Sequence, residues 1–491
     1  MNKRFPELNT YPKTTPKYEI YKLYQSSDSV NMIISFIKTI SNIIMTVLED
    51  SIPKTKIVLD FVIVGAGLGG VTAAICLKLA GHNVKLLEQA PELGEIGAGI
   101  QIPPPSVKII KTIGCLDNLL KHSMIPENFK IFRWEDGKQI SEQNLVPYTE
   151  ENYNSMYLHV HRADYHKVLV ERAKEVGVDM ILNTHINDVD FENNTVTASN
   201  GKSYTGDVVI GYDGIKSKLR SAVLGREDLP YDTGDLAYRA LIKVEDMKKH
   251  AELAPFYETA NINFWWGPDK HIVVYLLQGG KTCNVVILSP DTLPKDVAVQ
   301  GADKEEIAAI FEDWDPRLKT LFSLIQETGK WRLQNSRELP VWTPKKGNFI
   351  ILGDASHATL PYLASGASQA LEDAAVLAGL FSRIEHKSQI RDLLSVCESL
   401  RKWRTTQVVQ GSTECRNIFH LHDGQEQVTR DKKLAINPPA IGCPNRWADP
   451  KFQEFLWGYE AFAEAERGWN EYKTGESPRY SFGGLYEDAK L

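Results

Sequence analysis

At 491 residues the chain is too long for one small hydrophobic core, and length alone predicts two to four domains. An apolar fraction of 43% with 24% charged residues is that of an ordinary globular protein, and a net charge of −7 gives no electrostatic footprint for a nucleic-acid backbone. The six cysteines stand far apart without a CxxC pair, which argues for small core residues in a reducing compartment and against a zinc site or a disulfide framework.

Residues 1–29 are polar, rich in Pro, Lys and Tyr, and carry no core pattern, so they read as a disordered lead. An apolar stretch follows, VNMIISFIKTISNIIMTVL over 30–48, within a predicted helix spanning 30–50. It starts too late for a signal peptide and lacks a small-residue cleavage site. Asn31, Ser35, Lys38, Asn42 and Thr46 fall at helical spacing, opposite Ile33, Ile37, Ile40, Ile44 and Leu48. One polar stripe on an apolar helix fits a helix docked on the protein or lying in a membrane surface. Its length is marginal for a single span, and an artefact of the gene model is the remaining reading. The expected location is cytoplasmic, with peripheral membrane contact if this helix is an anchor.

Beyond Lys56 the pattern alternates strand and helix. Residues 57–64 form an uninterrupted β-rich run, as in a strand buried on both faces of a parallel sheet. A glycine turn, a helix of small residues over 71–80 and a second strand over 83–87 complete a βαβ start. A helix at 166–176 precedes short strands at 179–183, 195–198 and 207–210. From 236 to 289 the segments LAYRALIKV, INFWW, HIVVYLL and TCNVVIL alternate with period two, which predicts a mostly antiparallel sheet of different architecture. Residues 304–328 read as helix, 348–352 as a buried strand, and 367–382 as a long helix. The tail from 397 is mostly helical apart from a break at 438–444.

Gly65-Ala-Gly67-Leu-Gly-Gly70 follows the first strand and opens the first helix, and Glu88 ends the next strand. In that context the motif reads as a dinucleotide fingerprint. Gly65 permits the tight turn, Gly67 lets the backbone approach a pyrophosphate, and Gly70 allows close helix packing. The helix N-terminus offers free amides to the phosphates, and Glu88 would accept from a ribose hydroxyl.

Three further segments make the chain resemble the group A FAD-dependent aromatic hydroxylases, in particular the fungal salicylate-hydroxylase-like branch. They are Glu95-Ile-Gly-Ala98-Gly99-Ile-Gln-Ile-Pro103; Asp207-Val-Val-Ile-Gly-Tyr-Asp213-Gly214, continuing to Ser217 and Arg220; and Gly353-Asp354-Ala-Ser-His-Ala-Thr-Leu-Pro361 with Gly366-Ala367. Together with Arg162, in His161-Arg-Ala-Asp164, they carry the resemblance from about residue 57 to 380. It implies an α/β fold, with a Rossmann-type FAD-binding domain built from 55–232 and 341–395. A mostly antiparallel substrate domain would be inserted at 233–340, with a helical C-terminal region over 396–491. It also implies FAD as cofactor, with NADPH or NADH as co-substrate and oxygen adding at the flavin C4a.

By the same resemblance, Ala98 and Gly99 would let backbone pass close to the flavin ring, and Arg162 and Asp213 would contact FAD. Asp354 would bind the ribityl hydroxyls. The helix from Gly366–Ala367 would aim its amides at the ring edge that gains negative charge on reduction. Arg239 and Tyr275 stand in the strand contexts where fungal phenol hydroxylases hold a substrate phenolate. Glu372 and Asp373 read as partners of the helix dipole, and His357 as structural. The implied function is hydroxylation of a small phenolic or polyketide-like aromatic. The alternatives are an epoxidase or Baeyer–Villiger-type monooxygenase and, in another class, a non-catalytic flavin-fold protein that binds a lipid or prenyl partner.

Overall fold

The computed structural model describes residues 52–94 and 98–477. The predicted lead and the 30–50 helix lie outside them, as do Glu95, Ile96, Gly97 and residues 478–491. A five-stranded parallel sheet runs in the order Phe349–Ile351, Val208–Gly211, Asp60–Val64, Asn83–Leu87, Asp179–Ile181. Four of the five residues of its central strand are buried, as a strand covered on both faces requires. The helix Leu68–Leu79 packs against Gly366–Phe381, so both motif-bearing helices share one layer under this sheet.

The second sheet has eight strands in the order Val299–Ala302, Thr328–Asn335, Tyr231–Lys243, Thr282–Pro290, Lys270–Leu277, Asn261–Gly267, Asn128–Arg133, Gln139–Asn144. Its last two strands come from before the inserted segment, and Asn261–Gly267 pairs with Asn128–Arg133 in parallel. The predicted antiparallel block over 236–289 is therefore only the centre of a sheet that two stretches of chain build together. Its faces alternate. Leu236, Tyr238, Ala240 and Ile242 join one core under the helices Lys304–Ile310 and Pro316–Ser323. Ala237, Val273, Tyr275 and Leu288 join another. The helix expected over 304–328 is two helices, because Asp315 caps a new start and Pro316 cannot continue the old one.

The long helix Ile390–Phe419 packs against Gly366–Phe381 and Ala461–Thr474, with Gln425–Leu434 and Pro450–Trp457 between them in sequence. All six cysteines are free and buried. Among the described residues no helix is long and apolar enough to cross a membrane.

Candidate functional site

The carboxyl ends of the parallel strands and the inner face of the large sheet enclose a cavity of about 350 Å³. Gly67, Gly70, Gly99, Arg162, Gly214, Asp354, Gly366 and Ala367 line it, and so do Arg239 and Tyr275. Nine of the thirteen sequence-predicted site positions thus converge on one space, with Gly214 beside them. Glu88, Asp213 and Gly65 stand behind its wall, and Ala98 lines an adjoining cleft with Arg239 and Asn284.

The nucleotide end starts at the glycine turn. Gly65 has φ of 103°, and a Cβ there would stand 2.2 Å from the Tyr212 carbonyl oxygen. At Gly70 a Cβ would meet the Gly65 carbonyl at 2.0 Å, so these two glycines are demanded by the protein's own packing. Gly67 is different. A Cβ there would meet nothing within 4 Å, so the turn leaves room for an outside group, and the amides of Leu68–Leu79 open toward that room. Glu88 accepts from Ala66 N–H at 2.8 Å and from Ala90 N–H at 2.9 Å, pinning the turn. Asp213 is likewise engaged by the protein, accepting from Ser217 Oγ at 2.6 Å and Leu219 N–H at 3.1 Å. Burial raises its pKa and these bonds oppose the rise. Its neighbour Gly214 is the one that faces the cavity. Buried Arg220 ties this segment to the Gly353 turn, donating to the carbonyls of Ile215 at 2.7 Å and Ala355 at 3.3 Å.

Asp354 starts the short helix after the Phe349–Ile351 strand, and its carboxylate has no partner among the described residues. The turn that presents it is held from behind, where Asp373 accepts from Gly353 N–H at 3.0 Å and pairs with His357 at 2.7 Å. Arg401 bridges Asp373 and Glu372 at 2.8 Å each, and Arg404 meets Glu372 at 2.7 Å. Burial raises the Asp373 carboxyl, but His357 and Arg401 outweigh it and hold its pKa at about 2. Glu372 and Asp373 are therefore not exposed partners of the helix dipole. They are fully buried ion-pair members that fix Gly366–Phe381 to Ile390–Phe419. His357 is structural in the same network.

The substrate end is the inner sheet face. Arg239 pairs across with Val286, and Tyr275 with Asn284, so register brings Arg239, Asn284 and Tyr275 together. The Arg239 guanidinium lies 5.0 Å over the Trp331 ring, forms no ion pair among the described residues, and its buried Nε finds no acceptor. Burial lowers its pKa, partly opposed by Tyr275. The Tyr275 phenol is raised by burial, so it remains a neutral hydrogen-bond donor. Asn284 holds Gly99 N–H on its oxygen at 2.9 Å, while its buried Nδ2 is unsatisfied. A Cβ on Gly99 would come within 2.5 Å of the Tyr275 hydroxyl. The glycine expected to pass a flat cofactor ring thus also makes way for this phenol. Phe264, Val273, Val286, Leu288, Leu360 and Trp447 close the cavity with apolar surface.

Sequence reasoning missed Asn284 and His271. Asn284 interrupts the apolar run TCNVVIL, and His271 lies four residues before Tyr275 on the same strand face, so both left a faint mark in the pattern.

A glycine turn with an open amide cradle, a lone carboxylate at a parallel strand end, and an apolar sheet-roofed chamber define a dinucleotide-binding flavoprotein of the aromatic-hydroxylase fold. Residues 58–412 match the family described as FAD binding domain, and the chain belongs to it. A FAD-dependent monooxygenase, OpS4, of Beauveria bassiana (strain ARSEF 2860) is 37% identical over 414 residues, covering 83% of this chain and 96% of the relative. The 3-hydroxybenzoate 6-hydroxylase of Polaromonas naphthalenivorans (strain CJ2) is 30% identical, covering 79% and 95%. A salicylate hydroxylase substrate complex matches with a TM-score of 0.70 at 24% identity, over 84% of this chain and 98% of that one. The resemblance read from the motifs therefore holds. The chain is a member of the FAD-dependent aromatic-hydroxylase-type monooxygenases, and FAD is its cofactor.

Proposed function

We propose that this enzyme uses NADPH or NADH, FAD and O₂ to hydroxylate a small aromatic that carries an ionisable ring hydroxyl. One observation carries the reading: the apolar chamber holds a cation, a neutral donor and an imidazole acceptor on one sheet face, namely Arg239, Tyr275 and His271. An alkene uses none of these groups and a ketone carbonyl would use only the donors, whereas a phenol uses the cation, the donor and the acceptor together.

Bound FAD, once reduced, supplies the oxygen activation. The chain's residues bind and orient. Amides beyond Gly67 would hold the pyrophosphate, Arg162 would contact the cofactor, and Asp354 would accept from the ribityl hydroxyls. The N-terminal amides at Gly366 and Ala367 favour an anion at the ring edge. Arg239 and Tyr275 stabilise a phenolate over a phenol, which makes the aromatic ring the better nucleophile. His271 Nε2, which has no hydrogen-bond partner among the described residues, accepts the proton. The apolar walls exclude water from the reacting centre. The Polaromonas relative is named for a phenolic acid, in keeping with this chemistry.

The test is a panel of phenolic acids and polyketide phenols incubated with FAD-loaded protein under NADPH and NADH. Oxygen uptake that one of them stimulates, with a ring-hydroxylated product, is expected. Product formation only from alkenes or ketones would refute the phenol reading, and flavin binding with no stimulated uptake by any class would favour a binding module.

A further inference from the structure

The imidazole at the end of the chamber is not alone. His271 Nδ1 lies 2.9 Å from His420 Nε2, across 149 residues of chain, with the two residues only 2% and 9% exposed. A hydrogen bond between two neutral imidazoles forces complementary tautomers, because one ring nitrogen donates and the other accepts. With its Nδ1 engaged, His271 has only Nε2 left for the cavity that it lines. His420, in turn, has only Nδ1 left. His420 sits at the C-terminal end of Ile390–Phe419, where its backbone N–H donates to the Arg416 carbonyl at 3.1 Å and its backbone carbonyl accepts from Asp269 N–H at 3.2 Å. Asp269 and His422 lie just beyond, paired at 3.0 Å with side chains 57% and 69% exposed. The two rings therefore connect the closed chamber to a solvated edge.

We propose that His420 is the proton relay of the substrate site: it fixes His271 with Nε2 unprotonated toward the substrate and passes on the proton that His271 accepts. The inference rests on the phenol reading above. In the step, the substrate O–H breaks and an Nε2–H forms on His271. The Nδ1 proton of His271 moves to His420 Nε2, and His420 gives its Nδ1 proton to water. Electron pairs stay on the atoms that lose protons, no imidazolium persists, and a return proton resets both tautomers.

The surroundings suit a relay. His271 is faced by Phe264, Tyr362 and Phe419, with ring centroids at 6.0, 5.1 and 5.5 Å, and none of them is charged. The Tyr362 hydroxyl is committed to Asp235 at 2.7 Å. His420 is faced by Asp235, Arg416 and Asp269, and Asp235 is already neutralised by a two-pronged bond from Arg416 at 2.5 and 2.6 Å. No lone charge pins either ring in one state. Burial lowers His420 to about 4 and, with His420 adding to it, holds His271 well below its ordinary value, so both rings are neutral at rest. A transient positive charge on His420 would meet the negative end of the helix dipole.

The probe is 4-nitrophenol, whose anion is visible, mixed rapidly with the FAD-loaded full chain in weak buffer containing a pH dye. The unaltered protein is expected to form the bound anion and release a proton to the medium together. His420→Gln can still bond to His271 but cannot pass a proton, so binding should persist while both signals slow by about tenfold or more. His420→Ala should slow likewise, with free imidazole restoring the rate. Unchanged rates in both variants would overturn the relay and leave the phenol reading standing. Lost nitrophenol binding in His420→Gln with FAD retained would also overturn it, since the residue would then shape the cavity. No anion in the unaltered protein at any pH would overturn relay and phenol reading together.

Discussion

The two ends of the cavity differ in how their polar groups are finished. At the nucleotide end the protein answers its own charges: Glu88 with the amides of Ala66 and Ala90, Asp213 with Ser217 and Leu219, and Asp373 with Gly353, His357 and Arg401. Asp354, Arg162 and the helix-end amides line the cavity there. Toward the sheet face Arg239 Nε, and Asn284 Nδ2 in the adjoining cleft, are buried donors without acceptors among the described residues. Each such donor costs about 1–3 kcal/mol of stability. One end is a rigid frame for a fixed cofactor, while the other keeps unanswered donors that a bound anion would complete.

The sharpest test of the rigid end is a pair of glycines. Gly65→Ala places a Cβ 2.2 Å from the Tyr212 carbonyl with φ at 103°, so little folded protein is expected in soluble yield and circular dichroism. Gly67→Ala adds its Cβ where the protein has nothing within 4 Å, so it should fold normally yet bind FAD at least ~10-fold more weakly. Equal FAD affinity in Gly67→Ala would mean that this space is not the cofactor's. Next in size is Asp354→Ala, which should weaken FAD by roughly 10–100-fold through loss of bonds to a charged acceptor. Purification of that variant with a full complement of flavin would remove Asp354 from the site.

At the open end the expectation reverses. Arg239→Met should lower hydroxylation by about 100-fold while leaving FAD content intact and the melting temperature of the substrate-free protein unchanged or raised. A marked fall in that melting temperature would show that Arg239 is a structural group after all. Acid offers a smaller contrast. Burial lowers His82 and His420 to about 4 each, and His159 to about 3, against an unfolded value near 6.5. The unfolded chain therefore binds more protons below that value, so stability is full above about 6.5 and falls as pH drops toward 4. His82 belongs to the cofactor-binding sheet, at the amino ends of its strands, where it accepts from Leu59 N–H and bonds the Phe381 carbonyl; His420 stands beside the sheet-roofed chamber. Comparing melting-temperature slopes of His82→Gln and His420→Gln between pH 6.5 and 5 shows which region sets the acid limit. The smallest effect is expected for Tyr275→Phe, about a tenfold loss of product per NAD(P)H consumed, from one neutral hydrogen bond with the ring retained. An unchanged ratio would leave Arg239 as the sole phenolate holder.

The same contrast governs how much was legible before folding. The motif positions at the nucleotide end, from Gly65 through Asp354 to Gly366, could be named from sequence, because a turn, a strand end and a helix N-terminus are local objects set by neighbours in sequence. Arg239 and Tyr275 could be named there too, since each sits in a distinctive strand context. The substrate end required the fold. Its sheet is buried on both faces, so the period-two alternation of its strands separates two faces without announcing which of them meets the cavity. Nothing local foretells that Asn128–Arg133 joins the inserted sheet, that Asn284 reaches Gly99 across 185 residues, or that His271 meets His420 across 149. Glu372 and Asp373 show the point from the other side. Read locally they are two acids near a helix start, and only the packing of Ile390–Phe419 brings Arg401 and Arg404 to bury them. The sequence by itself determined the cofactor and the family, because those rest on short-range backbone geometry. The tertiary structure decided which side chains meet on the inner sheet face, because only long-range strand register and helix packing bring Arg239, Tyr275, His271 and His420 together.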